Sequence, residues 1–139
     1  MSLVADTGGL YALYDTDDAH HVAVRDIVME ETGPIIVPSA ILGELDYLLR
    51  EFLGVDAELD FLEGLGSGAL SLEPMMPADV ERCRELIATY RDLDLGLVDS
   101  AVIATAERLD IRRVLTVDER DFRVVRPKGD ALTLLPSDA

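Results

Sequence analysis

The sequence predicts a three-layer α/β sandwich, with a mostly parallel central sheet flanked by helices. Two observations carry that prediction. Short apolar runs of strand length recur along the chain, among them Ile35-Ile36-Val37 and the β-branched Val114-Leu115-Thr116-Val117. Between such runs lie longer stretches whose apolar residues return at helical spacing. Alternation of this kind favours parallel strands joined by helical crossovers.

Taken in order, Met1 to Ala5 is an apolar run that stops at Asp6-Thr7-Gly8-Gly9 and reads as the first strand. Leu10, Leu13 and Tyr14 mark a short helix, and Asp15 to Asp18 break it with N-cap chemistry. A second helix is expected from Ala19 to Glu31, through Val22, Ile27 and Val28, and Gly33-Pro34 ends it. Ile35 to Val37 is the second strand. Pro38-Ser39 is a helix-opening signal, and the helix from Ser39 to Phe52 turns Ile41, Leu42, Leu45, Leu48 and Leu49 inward. Gly54 closes it, and Val55 to Leu65 forms another through Leu59 and Leu62. After a turn at Gly64 to Gly68 come a strand, Ala69 to Leu72, and a helix from about Ala78 to Tyr90. Val98, Ala101, Val102, Thr105 and Leu109 stripe the next helix, which leads into Val114 to Val117. A Pro-Lys-Gly-Asp turn at Pro127 to Asp130 precedes a last edge strand, Ala131 to Leu135. No repeat, low-complexity tract or linker interrupts the chain, so one domain is expected over residues 1–139.

Composition narrows the function. With 49% hydrophobic residues in 139, the chain can bury its own core. No apolar run reaches the roughly 20 residues of a membrane span, and the N-terminus lacks the basic region of a signal peptide. Cys83 is the sole cysteine, which excludes an intrachain disulfide and points to a reducing cytoplasm. The net charge of −16, from 28 acids and 12 bases, speaks against a broad basic surface for nucleic acid. It leaves acids to spare for a cation. The bases cluster late: Arg108, Arg112, Arg113, Arg120, Arg123, Arg126 and Lys128 all fall in the final third.

Four acids stand out by position. In open parallel sheets, ligands bind beyond the carboxyl ends of the strands. Asp6 follows the first strand, Asp118 follows the fourth, and Glu44 lies near the start of the helix after the second. Asp99 reaches the same end if its helix runs antiparallel to the sheet. Four clustered carboxylates need a countercharge, and an oxygen-seeking cation such as Mg²⁺ or Mn²⁺ supplies it. The donor set argues against zinc, because His20 and His21 sit beside a turn and Cys83 is alone. Each acid also has a plainer reading: Asp6 as the cap of a helix starting at Thr7, Glu44 as a solvated helix residue, Asp99 as the cap of a helix starting at Ser100, and Asp118 as part of a turn. Other chemistries fit less well. The chain has no P-loop, no spaced glycines of a dinucleotide fingerprint and no Gly-x-Ser-x-Gly elbow.

With these acids in order, the chain resembles the PIN-domain family, and within it the VapC-type toxin ribonucleases of bacterial toxin–antitoxin pairs. The resemblance rests on Val4-Ala5-Asp6-Thr7, Pro38 to Glu44, Asp94 to Ala101 and Leu115 to Phe122, and runs over nearly the whole length. It implies a PIN-like fold with Asp6, Glu44, Asp99 and Asp118 as catalytic acids. Asp6, Asp99 and Asp118 would hold Mg²⁺ or Mn²⁺, and Glu44 would complete the shell or orient the attacking water. Thr7, Thr116 and Asp121 would support them. Hydrolysis of RNA would then leave 5′-phosphate and 3′-hydroxyl ends. The resemblance also implies an antitoxin whose C-terminal segment covers the groove, and a homodimer. Arg112, Arg113, Arg120, Arg123 and Arg126 are expected as an RNA-facing rim, or else as a solvated basic face. Two features depart from the family: Gly8 replaces a frequent Ser, and the chain is very acidic for one that approaches RNA. Two other readings remain, a non-catalytic PIN-fold binding module and a receiver-like phosphoacceptor at Asp6.

Overall fold

Five short strands form one sheet in which every neighbouring pair is parallel: β1 (Leu3–Ala5), β2 (Ile35–Pro38), β3 (Ser71–Glu73), β4 (Arg113–Leu115) and β5 (Thr133–Leu135). The computed structural model describes all 139 residues. Seven helices connect the strands: α1 (Thr7–Tyr14), α2 (His21–Glu30), α3 (Leu42–Leu53), α4 (Val55–Ser67), α5 (Pro77–Thr89), α6 (Leu97–Leu109) and α7 (Arg120–Val124). A 3-10 turn, Ser39–Ile41, joins β2 to α3. The strand order is β3-β2-β1-β4-β5, so the chain builds outward from β1 and then returns to its other side. That reversal between β1 and β4 makes a crevice at their carboxyl ends, where open sheets take ligands. The α/β sandwich with a parallel sheet is as the sequence predicts.

The central strands are apolar without alternation because both of their faces are covered. Leu3, Val4, Ala5, Val114 and Leu115 are wholly buried. α6 departs most from its expected stripe. It is buried over seven consecutive residues, Ser100 to Ala106, and packs on the sheet with one side and on α5 with another. Its small residues, Ala101, Ala104 and Ala106, allow that double contact. Strand limits differ by at most two residues from those expected. β4 begins at Arg113 and stops at Leu115, so Thr116 and Val117 lie beyond it. α7 was not anticipated, since Asp118 to Asp121 read as a turn. Five residues are too few to show a helical period.

Two glycines let α1 begin hard against β4. A Cβ on Gly9 would lie 2.4 Å from the Leu115 carbonyl oxygen, and one on Gly8 would lie 2.9 Å from Val117 Cγ2. Val117 therefore occupies the space that a serine at position 8 would need.

The outer edge of β5 is closed by the turn that follows it. Thr133 and Leu135 bond toward β4, through Arg112 O and Thr116 N–H. Leu134, which faces outward, donates to Asp138 Oδ2 at 2.8 Å and accepts from the Asp138 N–H at 2.7 Å. Arg123 holds that carboxylate with both terminal nitrogens, at 2.9 and 2.7 Å.

Gly9→Ala is expected to lower stability by about 1–3 kcal/mol, because the backbone it meets cannot give way. Gly43→Ala, with nothing within 4 Å of its Cβ, is expected to be neutral or stabilising by about 0.5–1 kcal/mol. Urea midpoints at constant m-value measure both.

Candidate functional site

Asp6 and Thr116 leave the carboxyl ends of two neighbouring strands, and they meet. Ala5 and Leu115 are in register, and the Asp6 N–H continues the ladder to the Leu115 carbonyl at 2.9 Å. Thr116 Oγ1 lies 2.9 Å from Asp6 Oδ2 and 3.1 Å from the Asp118 carbonyl oxygen. One hydroxyl proton serves one of them, and the nearer, charged acceptor takes it. The same oxygen accepts from the Asp118 N–H at 3.3 Å, which ties down the start of the next loop. Asp6 occupies the N-cap position of α1, yet its side chain makes no capping bond to the second or third amide of the helix. The capping reading therefore does not account for its carboxylate.

Glu44 and Asp99 occupy equivalent places. Each is the third residue of its helix, α3 and α6 respectively. Helix N-termini favour negative charge, by about 0.3–1 kcal/mol at exposed sites. Asp99 is not a cap: Gly96 holds that position, and Ser100 Oγ donates back to the Gly96 carbonyl at 2.8 Å. Glu44 and Asp118 are exposed, Asp99 is half-buried, and Asp121 in α7 keeps only 12% of its side chain exposed.

The electrostatics join these acids into one group. Burial pushes Asp6 up to about 6, against the hydrogen bonds from Thr116 and the Thr7 N–H, while the charges of Asp99 and Glu44 push it further. Asp99 is also pushed up to about 6, first by burial and then by Asp121, Asp118, Glu44 and Asp94. The charges of Glu44, Asp94, Asp118 and Asp121 thus bear on Asp6 or Asp99 across the crevice. Asp94 opens the motif Asp94 to Ala101, but nothing in the sequence assigns it a role of its own, because it sits in an exposed turn with no periodicity to mark it. No lysine or arginine pairs with Asp6, Glu44, Asp94, Asp99 or Asp118, and Asp121 meets only the exposed Arg120, at 3.5 Å.

A hard divalent cation suits this chemistry. All the donors are oxygens, and Asp121 Oδ1 and Thr7 Oγ1 are buried without a hydrogen-bond partner. No three acids stand close enough to enclose an ion by themselves. Mg²⁺ does not require that, since it usually keeps several waters and takes one or two carboxylates. The residues present therefore fit a hydrated cation.

The expected arginine rim is only partly there. Arg113 opens β4 at the other end of the sheet, roughly 10 Å of strand from Thr116, and pairs with Glu31 and the Ser2 carbonyl. Arg112, just before it, bonds the Lys128 and Asp130 carbonyls and pairs with Asp110. Both belong to the amino end of a parallel strand, which the acids leave from its carboxyl end. Arg123 is committed to Glu119 and Asp138. Arg120 and Arg126 remain exposed, Arg120 77% so, and Arg126 pairs with no acid.

The profile of the PIN domain matches residues 3–127. Ribonuclease VapC26 of Mycobacterium tuberculosis is 33% identical over 135 residues, covering 96% of this chain and 100% of that protein. The crystal structure of Mycobacterium tuberculosis VapC20, a sarcin-ricin loop cleaving toxin, aligns with a TM-score of 0.80 at 20% identity, over 90% of this chain and 99% of that one. VapBC2 from Rickettsia felis, bound to a DNA fragment from its promoter, aligns with a TM-score of 0.69 at 15% identity, over 96% and 97%. At these identities the two structures speak for the fold. No helix is long and apolar enough to cross a membrane.

The raised carboxylates set a pH dependence of stability. Their folded values near 6 exceed the ordinary 3.8, so the folded state binds more protons between those pH values. Stability is then highest below about pH 4 as far as these groups are concerned, and falls as pH rises through 6. Asp99→Asn removes part of that fall. Solvent screens a half-exposed carboxylate, so the expected gain at pH 8 is about 1 kcal/mol, or about 2–4 °C in Tm. Thermal melts at pH 4.5 and 8 check it: the variant should gain more at pH 8 than at pH 4.5.

Proposed function

Because the chain belongs to the PIN-domain family and its VapC-type branch, we propose that it is a divalent-metal-dependent endoribonuclease, the toxin of a toxin–antitoxin pair. One observation carries the reading. Five of the six carboxylates at the sheet's switch point pair with no lysine or arginine of the chain, and the sixth, Asp121, meets only the exposed Arg120. Similarity to the ribonuclease VapC26 over nearly the full length supports RNA as the substrate.

Asp6, Asp99 and Asp118 are the residues that would hold Mg²⁺ or Mn²⁺, directly or through its waters, with Glu44 and Asp121 in reach of the same charge. A bound cation of this kind lowers the pKa of its water and stabilises charge on phosphoryl oxygens. The chain's own part is positioning. Thr116 fixes the Asp6 carboxylate by donating to Oδ2, and so sets where a phosphodiester can lie against β1 and β4. Glu44, exposed at the start of α3, is free to accept a proton from an attacking water or to orient it. The acids repel phosphate until they are neutralised, so the approach of RNA falls to exposed arginines such as Arg126, which pairs with no acid, and Arg120, whose only acidic partner is Asp121.

An antitoxin fits the apolar surface of α3 and α4. Tyr47, Phe52, Leu59 and Leu62 are 46–65% exposed there. A basic side chain from such a partner would complement the acids. The same face would serve a homodimer.

Purified protein is expected to cut an end-labelled RNA pool with Mg²⁺ or Mn²⁺ and to stop in EDTA. Asp6→Asn and Asp99→Asn should slow cleavage by about 10²-fold or more while keeping the native circular-dichroism spectrum. Full activity in Asp99→Asn would refute the assignment. Absence of cleavage under every condition would instead favour a non-catalytic binding module. Thr116→Val keeps the shape but not the donor, and should also reduce the rate.

A further inference from the structure

A cavity of about 240 Å³ opens beside the acids, between the carboxyl ends of β4 and β5 and the start of α2. Thr116, whose hydroxyl holds Asp6, forms its buried floor, and Val117 and Pro136 line it with apolar surface. Ala23 lines it too, and the polar side chains of the lining besides Thr116 are His20, Glu119 and Ser137. Each of those three offers a polar group with no partner in the chain. The His20 imidazole and Ser137 hydroxyl make no hydrogen bond, and Glu119 meets Arg123 through Oε1 alone, leaving Oε2 free.

We propose that this cavity binds one nucleobase of single-stranded RNA beside the scissile phosphate, and that His20, Glu119 and Ser137 select which base it is. The proposal rests on the ribonuclease reading. Three physical points support it. The volume falls below the roughly 300–1,000 Å³ of sites for drug-sized ligands, and suits a single flat ring system. The charge is wrong for a phosphate, since the lining holds a carboxylate and no lysine or arginine. It is right for a neutral base, whose edge carries N–H donors for Glu119 and mixed groups for a hydroxyl. Finally, sequence-specific proteins read unpaired RNA by stacking a base on a ring such as histidine and hydrogen-bonding its edge. Thr116 connects the two halves: a nucleotide seated on it lies one residue from the carboxylates.

Cleavage of an RNA pool with a randomised tract, with every new 5′ end sequenced, tests the selection. Wild type should favour one base at a fixed distance from the cut. Glu119→Gln turns a carboxylate that only accepts into an amide that also donates, and Ser137→Ala deletes a hydroxyl that can donate or accept. Either should shift the ratio of preferred to disfavoured base by tenfold or more. An unaltered preference, or an equal slowing at all sites, would overturn the proposal. A second measurement needs no cleavage. Asp99→Asn protein in EDTA is titrated with millimolar nucleoside monophosphates, and with ribose 5-phosphate as the baseless control, while the imidazole proton resonances are followed. His20 should move with one or more of the bases and not with the control. His21, whose Nδ1 lies 2.8 Å from the Ala12 carbonyl, is the internal reference. If His20 stays still with every nucleotide, the base site is wrong even in an active nuclease. If His20 moves while wild type cuts no RNA, the cavity stands and the ribonuclease reading fails.

Discussion

Like charges held together by a rigid sheet are the constraint on which the carboxyl end of this protein depends. Asp6 and Asp118 are delivered by adjacent parallel strands, and Glu44 and Asp99 by helices that begin at the same end. None of these backbones can move apart without breaking the ladder or uncovering the core. What the chain offers in return is small: two helix N-termini, one threonine hydroxyl and a few amides. Those terms are outweighed by burial and mutual repulsion, as the raised Asp6 and Asp99 carboxyls indicate. The site is therefore strained in charge, and a divalent cation would relieve it.

Several of the positive side chains are engaged elsewhere, fastening the periphery. Arg82 grips Glu107 across α5 and α6, at 2.7 and 2.9 Å. Arg108 takes Asp79 at the start of α5, whose other role is to accept from the Met76 N–H. Arg113 meets Glu31 across the amino ends of the strands. These pairs join elements distant in sequence, and each uses an arginine that an acid at the crevice would otherwise attract.

How much of this could be read from the sequence depended on period and order. Strand-length apolar runs alternating with helical stripes sufficed for the parallel sandwich, because covered strands and amphipathic helices leave distinct patterns. The acids were legible because each stands just after a strand or at the start of a helix, and topology turns those places into one end. Arg112 and Arg113 misled because closeness to Asp118 in sequence hides the length of β4, which carries them to the far side. α7 was too short to show a period, and Asp94 too exposed to be marked by its neighbours. The glycine at position 8 looked like a lost hydroxyl. It is a steric requirement set by Val117, a residue more than a hundred positions away that no local pattern could connect to it.

The way Asp138 seals Leu134 has a consequence for assembly. A sheet with two open edges can add copies at both, without limit, and so grow a fibre. Here the only outward-facing residue of β5 already has its N–H and carbonyl occupied, and Arg123 keeps the seal in place. Strand addition is left with β3 alone. Two copies joined edge to edge through β3 would present a blocked β5 at each end, so such pairing terminates at a closed pair and cannot propagate.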